Sequence, residues 1–439
     1  MKRLLSLLMA LLLVLTGLSL ASCGKAEQPS DTTPEETTAS PEPIVDPDIP
    51  LNICGNDLRD YTIIAYLPDD QFDTEARAEF KEEILGIFQS VFGFTPEYRI
   101  AKAVGDLIDP YSEHEILFTP RLFRKDLPKS NFYEAFYGVS EKGTIYFTGA
   151  NPEFYLYLLR LFLEETMQIP LGSEQKCESC HVEPFHTEFT PSEDFLVKHG
   201  YASVFEDNFD GDSLNYDVWE DRGVGSRGCG YLAPSQVKVA DGILTITGEY
   251  REDGQFGEGW YSSFLHLRQY YRRGYFESRI QCNDIISEDG MGDFWSAFWV
   301  QGPAPYTPEL SLGGIGEGGA EIDIFEYFGG EKQSINFYCA GGADITSTEL
   351  DSLHYMPEKP SHKYEEEYHK YALLWDESAY TIFIDDVPVV CTDFIFGTSN
   401  VPEEVILSIC IPDSLSEARK EKPAEMKIDY LKIWQKPEQ

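Results

Sequence analysis

Three carboxylates close together in the sequence, Glu321, Asp323 and Glu326, are the residues of this chain best placed to do chemistry. Side chains alternate between the two faces of a β-strand, so Glu321 and Asp323 share one face while Ile322 and Ile324 share the other. Strict alternation would put Glu326 on the wrong face. A β-bulge between Asp323 and Glu326 would turn it back beside the other two acids, and the sequence therefore predicts a bulged strand.

Two glutamates on one face of a strand suit glycoside hydrolysis. A retaining glycosidase uses one carboxylate as nucleophile and one carboxylic acid as proton donor, about 5–5.5 Å apart. Asp323 between them would orient the nucleophile, and its charge would help to keep the neighbouring acid protonated, because like charges at close range raise a pKa. A solvated acidic strand or a calcium loop would contain the same residue types, but the alternating isoleucines argue against a flexible loop.

Segments on both sides of these acids resemble, in order, the strands of glycoside hydrolase family 16, the laminarinase and lichenase group. They are V-F-E-D-N-F-D-G at 204–211, G-Y-F-E-S-R at 274–279, F-W-S-A-F-W at 294–299, E-I-D-I-F-E at 321–326, and the segments 369–386 and 427–434. The spacing within 321–326 is that of the laminarinase branch. The resemblance extends over residues 200–437.

The resemblance implies an all-β jelly-roll sandwich over residues 200–439, with an open cleft that binds a polymer internally. Short alternating runs separated by turn residues are typical of such a sandwich. Glu321 would be the nucleophile, Asp323 its supporting carboxylate, and Glu326 the general acid and then the base, in retaining endo-hydrolysis of β-1,3 or mixed β-1,3/1,4 glucans. Alternatives are a hydrolase for another β-linked polysaccharide, such as agar or carrageenan, and a surface lipoprotein that binds glycans without cutting them.

Four further residues are candidates for substrate binding. Trp295 and Trp299 lie four apart in a strand, so they share a face and could stack on sugar rings; two core tryptophans would have the same spacing. Glu277 and Arg279 also share a face and resemble the family's ligands for sugar hydroxyls. A structural ion pair is the alternative for these two.

Two further expectations rest on the resemblance. Phe337 stands where many laminarinases carry a histidine, which leaves the linkage preference open. The family's structural calcium ion would be held by Asn208, Gly242 and Asp429, the first two through backbone carbonyls, although Asp429 could equally be a surface carboxylate. No cofactor is expected for catalysis.

The beginning of the chain predicts export and a lipid anchor. Residues 1–22 carry Lys2 and Arg3 and then a long apolar run, which is the pattern of a signal peptide. The run ends in L-A-S before Cys23, which resembles a bacterial lipoprotein cleavage site with Cys23 as the lipidated first residue. Ordinary secretory cleavage beside an incidental cysteine is the alternative. The expected location is the outer face of a bacterial cell envelope.

Residues 23–55 are rich in Pro, Thr, Ser and Glu and predict a disordered acidic linker. Residues 56–170 predict a small α+β domain of about four strands and two helices, including a helix over 73–92, a hairpin over 132–148 and a helix that Asn151 caps. No constellation of reactive residues indicates a function for this domain.

Residues 171–199 predict a linker that contains Cys177, Cys180 and His181 in the pattern C-x-x-C-H. This pattern matches c-type haem attachment, but the polar surroundings do not suggest a haem pocket. A local disulfide between the cysteines is favoured, and a zinc ion that also uses His186 is the alternative.

The composition restricts the partners. The formal net charge of -42 argues against nucleic acid and anionic membrane surfaces, because both repel a protein this acidic. The 34 Lys and Arg residues offer a sulfated polymer few partners. A neutral β-glucan meets neither objection.

Overall fold

The computed structural model describes most of the chain from residue 49 onward. The described ranges are 49–69, 72, 74–130, 135–149, 151–169, 176–189, 191–287, 292–311, 314–329, 333–340, 350–355, 364–394 and 397–437. The predicted signal peptide, Cys23 and the linker up to residue 48 lie outside the described residues. Within the described ranges no helix has the length and apolar character needed to cross a membrane.

The part of the chain before residue 200, here called the N-terminal module, combines two small sheets with helices. Its strands are β1 (Leu51–Ile53), β2 (Asn56–Asp57), β3 (Thr62–Tyr66), β4 (Glu97–Ala101), β5 (Glu115–Thr119), β6 (Phe136–Val139), β7 (Ile145–Thr148), β8 (Cys180–Val182) and β9 (Phe185–Glu188). Its helices are α1 (Thr74–Phe92), α2 (Pro152–Leu161) and α3 (Glu193–Lys198), with 3₁₀ turns at Leu58–Asp60 and Val104–Leu107 and a π turn at Phe162–Thr166.

The two longer helices form where the sequence predicts them. α1 buries Phe80, Ile84 and Phe88 at four-residue spacing, so one face of this helix packs on the sheet. Asn151 caps α2, because its side-chain oxygen accepts a backbone N–H of the first turn at 2.9 Å. Pro152 occupies that first turn, where a missing N–H breaks no helical hydrogen bond.

The larger sheet of the module has the order β4-β3-β5-β7-β6-β9. β4, β3, β5 and β7 are parallel neighbours, whereas β6 runs antiparallel to β7 in the predicted hairpin and also to β9. The sequence predicts about four strands, and the structure adds β4 and β9 at the two edges. Both edge strands are polar, E-Y-R-I-A and F-H-T-E, so neither shows the hydrophobic pattern that identifies a buried strand.

The expectation of linkers at 23–55 and 171–199 needs correction where these segments are described. β1 and β2 open the module, and β1 pairs in parallel with β8. β9 extends the larger sheet, and α3 leads directly into the next part of the chain. These residues therefore belong to the folded structure.

Residues from 200 onward form the predicted all-β sandwich. Its strands are β10 (Ala202–Asp207), β11 (Trp219–Asp221), β12 (Gly225–Arg227), β13 (Gly230–Leu232), β14 (Val237–Ala240), β15 (Ile243–Gly254), β16 (Gly257–Ser262), β17 (Phe264–Leu267), β18 (Gly274–Gln281), β19 (Trp295–Gln301), β20 (Glu321–Tyr327), β21 (Gln333–Ala340), β22 (Leu350–Tyr355), β23 (His369–Trp375), β24 (Tyr380–Ile384), β25 (Val387–Thr392), β26 (Glu404–Cys410) and β27 (Ala424–Gln435). Short helical turns occur at α4 (Pro308–Ser311), Pro234–Gln236 and Glu417–Glu421.

Two sheets make up the sandwich. The first, here called the catalytic sheet, has the order β11-β17-β26-β19-β20-β21-β22. The second, here called the back sheet, follows the path β12-β13-β16-β15-β27-β18-β23-β24-β25, with β10 and β14 attached to β27 and β15. Phe325 of β20 stacks on Tyr371 of β23 with ring centroids 3.9 Å apart, so the core fixes β20 from its apolar side.

The outer face of the back sheet packs against the N-terminal module. Tyr275, Phe383 and Trp434 share one buried apolar cluster with Tyr157 and Phe189 of the module. The rings of Phe189 and Phe383 lie 5.7 Å apart, and those of Tyr275 and Trp434 also lie 5.7 Å apart. The module and the sandwich therefore belong to one compact unit.

Candidate active site

The bulge predicted in β20 is present. Pairing with β21 places Asp323 opposite Asn336 but Glu326 opposite Ser334, so one extra residue of β20 is absorbed between the two acids. Pairing with β19 shows a matching shift of register. Glu321, Asp323 and Glu326 consequently face the same side of the catalytic sheet, away from the core.

Hydrogen-bond donors surround Glu321. The side-chain amide of Gln301 and the hydroxyl of Tyr306 both donate to Oε2 of Glu321. The guanidinium of Arg222 donates to the side-chain oxygen of Gln301 and so orients that amide. Burial raises the pKa of Glu321, while the two hydrogen bonds and the charges of Arg222 and Arg227 act in the opposite direction. These groups stabilise the charged carboxylate, which is the form that a nucleophile needs.

Asp323 lies between the two glutamates and is 5% exposed. Its Oδ2 accepts a hydrogen bond from Nδ2 of Asn336 at 3.2 Å. Burial raises the pKa of Asp323 well above its ordinary value, and the charges of Glu326 and Glu321 raise it further. Asp323 therefore holds a proton more readily than an ordinary aspartate does.

Glu326 has two donors of its own. Nε1 of Trp295 donates to its Oε1 at 2.8 Å, and Nδ2 of Asn336 donates to its Oε2 at 2.6 Å. Burial raises the pKa of Glu326 to about 7, the charge of Glu321 adds to the rise, and the Trp295 hydrogen bond opposes it. The sequence predicts that the charge of Asp323 keeps this acid protonated, but burial and the charge of Glu321 are what raise its pKa. A carboxyl group with a pKa near neutrality can both give and take a proton.

The start of β20 is fixed by a buried acid that the sequence did not indicate. Glu403 is fully buried, and its Oε1 accepts the backbone N–H of Ala320 at 3.0 Å. Burial raises the pKa of Glu403 to about 8. Gly319 has a φ of +68°, and a Cβ at this position would lie 2.8 Å from Oε1 of Glu403. Backbone conformation and space both require glycine here, directly before the catalytic strand.

Strand parity corrects the comparison made at Phe337. Phe337 is fully buried on the core side of β21, with its ring centroid 5.5 Å from that of Tyr380. Asn336 faces the carboxylates instead and contacts both Asp323 and Glu326. Phe337 therefore does not reach the site, whereas its two neighbours in sequence, Asn336 and Tyr338, lie on the carboxylate face.

The two candidate tryptophans differ in their surroundings. Trp295 is half-buried beside Glu326, with its ring centroid 5.5 Å from that of Phe328. Trp299 lies on the same face but is only 7% exposed. The Arg222 guanidinium lies 5.0 Å from the centroid of its ring, and the ring of Phe264 packs edge-on against it with centroids 6.1 Å apart. Trp295 therefore stays partly accessible beside Glu326, whereas Trp299 is packed against its neighbours.

Glu277 and Arg279 do not join the carboxylates, so their prediction as substrate ligands is wrong. Both lie on β18 of the back sheet, on the face opposite to the sandwich core. Glu277 accepts hydrogen bonds from the hydroxyls of Tyr275 and Tyr430 at 2.9 and 2.8 Å. Nη1 of Arg279 pairs with Asp429 at 2.6 Å, whereas Glu277 pairs with Lys370 at 3.5 Å, so each forms a structural ion pair with another residue. Alternation shows which residues share a face but not which sheet the strand joins.

The same ion pair bears on the calcium prediction. Strand pairing brings the three predicted calcium ligands toward one another at β27. Asp207, next to Asn208, pairs with Leu431, and Leu244, close to Gly242, pairs with Ile428. However, Arg279 already neutralises the single carboxylate of the set, Asp429. The donors as placed do not fit a divalent cation.

The C-x-x-C-H segment forms neither of the arrangements considered. Cys177 and Cys180 are free thiols, so the predicted disulfide is not formed. His181 pairs with Glu183 at 2.6 Å, whereas Nδ1 of His186 contacts the Tyr146 hydroxyl at 3.2 Å. The two imidazoles serve separate partners, and within the described ranges no group of three or more His, Cys, Asp and Glu side chains could hold a metal.

Paired carboxyl groups on one face of an open sheet, one of them with a pKa near neutrality, are the machinery of the glycoside hydrolase class. Residues 232–432 match the sequence model of one family in this class, Glycosyl hydrolases family 16. No curated protein matches the chain.

Several solved structures are similar to part of this chain. The laminarinase catalytic domain from Thermotoga maritima MSB8 is 19% identical over 54% of this chain and 99% of its own, with a TM-score of 0.42. A Bacteroides ovatus family 16 protein from a mixed-linkage glucan locus, in complex with its product, is 19% identical over 52% and 99%, with a TM-score of 0.39. A structure from work on endo-acting O-glycanases of the human gut microbiota, which initiate mucin breakdown, is 18% identical over 54% and 91%, with a TM-score of 0.43. These likenesses assign no substrate to this chain.

Replacing Trp295 by Phe should raise the pKa of Glu326 above about 7, because the change removes a hydrogen bond that favours the charged carboxylate. A rise of about half a unit to one unit corresponds to the loss of one such bond. Carbon-13 NMR of labelled glutamate carboxyls follows the titration. Trp299→Phe is the matched control, because that indole donates to Ser408 at 3.0 Å and to no acid. Equal midpoints in both variants would contradict the assigned contacts.

Proposed function

We propose that this protein is a retaining endo-β-glucanase that cleaves β-1,3 or mixed β-1,3/1,4 glucans at the cell surface. The observation that carries the proposal is the placement of Glu321 and Glu326 on one face of a bulged strand, with the pKa of Glu326 near 7. The match of residues 232–432 to family 16 supports the reaction class. The laminarinase-type spacing of 321–326 supports a glucan substrate.

In the first step Glu326 gives its proton to the glycosidic oxygen while Glu321 attacks the anomeric carbon. The bond to the leaving sugar breaks, and a glycosyl ester forms on Glu321. Gln301 and Tyr306 both donate to Oε2 of Glu321, so Oε1 is the oxygen left to attack. The same two donors stabilise the carboxylate when it leaves again.

In the second step Glu326, now a carboxylate, takes a proton from water, and the water oxygen attacks the anomeric carbon. The ester bond to Glu321 breaks, and the product keeps the configuration of the substrate. Burial and the charges of Glu326 and Glu321 raise the pKa of Asp323 well above its ordinary value. Asp323 supports the site through Asn336, whose amide it shares with Glu326.

The pH dependence follows from the acid. Glu326 must be protonated to assist departure of the leaving group, so the rate of glycosyl-enzyme formation should fall as the pH rises through about 7. Glu321 must be ionised to attack, and burial raises its pKa against the opposing donors, so the rate should also fall on the acidic side where this carboxylate takes up a proton. A bell-shaped dependence of kcat/KM is the consequence.

Two features support a neutral polymer as the substrate. The half-buried ring of Trp295 and the neighbouring Phe328 offer an apolar wall to a pyranose beside Glu326. The net charge of -42 repels polyanions from the protein as a whole. A β-glucan carries no charge and presents apolar ring faces.

Digestion of a panel of polysaccharides tests the proposal. Laminarin and mixed-linkage β-glucan should yield short oligosaccharides, and proton NMR should show the β anomer first, before mutarotation. An initial α anomer would contradict retention. Cleavage of agarose or carrageenan with no action on either glucan would contradict the substrate. Binding of glucans without any cleavage would favour a glycan-binding lipoprotein.

Azide should distinguish the two glutamates. Glu326→Ala should slow hydrolysis on the order of 10²–10⁴-fold or more, yet still form the glycosyl-enzyme from a substrate whose leaving group needs no protonation. Azide should then yield the β-glycosyl azide, whereas Glu321→Ala should yield the α product. Glu317→Ala, at an exposed glutamate of the preceding loop, is the control and should behave as wild type. A β product from Glu321→Ala would exchange the assigned roles.

We also propose that a lipid on Cys23 anchors the protein, on the basis of the L-A-S-C sequence at 20–23. A diacylated cysteine supplies the two chains that stable attachment requires. Mass spectrometry of membrane-extracted protein should find a mature chain that begins at Cys23 with added acyl mass. A soluble form that begins elsewhere without acyl groups would contradict this proposal.

A further inference from the structure

The N-terminal module contains a basic cavity that the proposed reaction does not use. Its volume is about 580 Å³, which lies within the usual range for small-molecule sites. It is lined by Arg121, Leu122, Phe123, Arg124, Lys125, Leu127, Lys129 and Ser130. Half of these residues are cationic and none is acidic, in a chain with 34 Lys and Arg against 76 Asp and Glu. The local charge is thus the reverse of that of the whole protein.

The position of this cavity in the sheet is one where ligands commonly bind. The lining segment begins just beyond the carboxyl end of β5. β3 lies between β4 and β5, so the chain leaves β3 through α1 to reach β4 on one side and then crosses back to β5 on the other. Connections that diverge in this way leave a crevice outside the carboxyl ends of parallel strands, and ligands of α/β sheets bind there.

Buried contacts hold the lining segment in place. Arg124 is 5% exposed, pairs with the buried Glu115 at 2.5 Å, and donates from Nε to the carbonyl of Leu107 at 3.2 Å. Nε of Arg121 donates to the carbonyl of Ser130 at 2.9 Å, which joins the two ends of the segment. The cavity wall is therefore built by buried contacts, and Arg124 serves the wall more than a ligand.

Two exposed lysines that line the cavity have no acidic partner among the described residues. Lys125 and Lys129 are exposed, and neither forms an ion pair with any residue in the described ranges. The nearest acid in sequence, Asp126, pairs instead with Lys142 at 3.6 Å. Uncompensated cations over a concave surface concentrate anions from solution.

A ring completes the wall. The guanidinium of Arg121 lies 5.9 Å from the centroid of the Phe123 ring. An aromatic face beside a cation suits a ligand that has both a ring-sized body and a negative group. We propose that this cavity binds a small organic anion of this kind, the chemistry that sugar acids and sugar phosphates share. The site is separate from the carboxylate site and does not depend on the proposed function.

Calorimetric titration of the full chain tests the proposal with glucuronate, glucose 6-phosphate, inorganic phosphate and glucose as probes. At least one of the two organic anions should bind, more tightly than phosphate, and glucose should not bind at this site. Binding of glucuronate would identify a carboxylate as the recognised group, and binding of glucose 6-phosphate would identify a phosphate. Affinity should fall with added salt, because exposed charges are screened beyond about 8 Å at physiological ionic strength.

Charge reversal locates the site. Lys125→Glu combined with Lys129→Glu should weaken anion binding by about tenfold or more, since each reversal replaces attraction by repulsion near the ligand. Lys81→Glu combined with Lys102→Glu makes the same charge change at exposed lysines outside the cavity and should alter affinity far less. β-Glucan hydrolysis should be unaffected by either pair. No binding by either organic anion, equal binding of glucose, or equal weakening in both pairs would overturn the proposal.

Discussion

The structure of this site depends on the burial of three carboxyl groups on one face of one strand. Removing ionised carboxylates from water is costly, and placing them side by side adds repulsion. The opposite face of β20 offsets this cost, because Ile322, Ile324 and Phe325 are fully buried and Phe325 stacks on Tyr371. The bulge allows one strand to satisfy both demands, since it turns the acids outward without moving the apolar residues out of the core.

Differences among the hydrogen-bond donors give the acids different properties on a shared surface. Glu321 accepts hydrogen bonds from Gln301 and Tyr306. Glu326 accepts one from the indole of Trp295 and a second from the amide of Asn336, which also donates to Asp323. Burial then raises the pKa of Glu326 to about 7 and raises that of Asp323 well above its ordinary value. Two glutamates of the same chemistry thereby differ in how readily each holds a proton.

The residues of β20 could be predicted from the sequence because period-two alternation and one bulge are local properties. The donors could not, since Asn336 meets Glu326 only through the pairing of β20 with β21, and register between distant strands is not written in either strand alone. Gln301 is a partial exception, because the alternation from Trp295 through Trp299 continues to it. The error at Glu277 and Arg279 has the same origin. Alternation correctly predicted that they share a face, but their strand lies in the back sheet and not in the sheet that carries the three acids.

The outer face of the back sheet explains that error and gives the N-terminal module its structural role. Tyr275, Phe383 and Trp434 would form an exposed apolar patch if the sandwich stood alone, and such patches promote association. The module covers them with Tyr157 and Phe189, so the described residue Phe189 of the predicted linker is part of this interface. The back sheet is thus committed to internal packing, and the polar residues of β18 pair with their neighbours. The outward carboxylates of the catalytic sheet are left to meet the substrate.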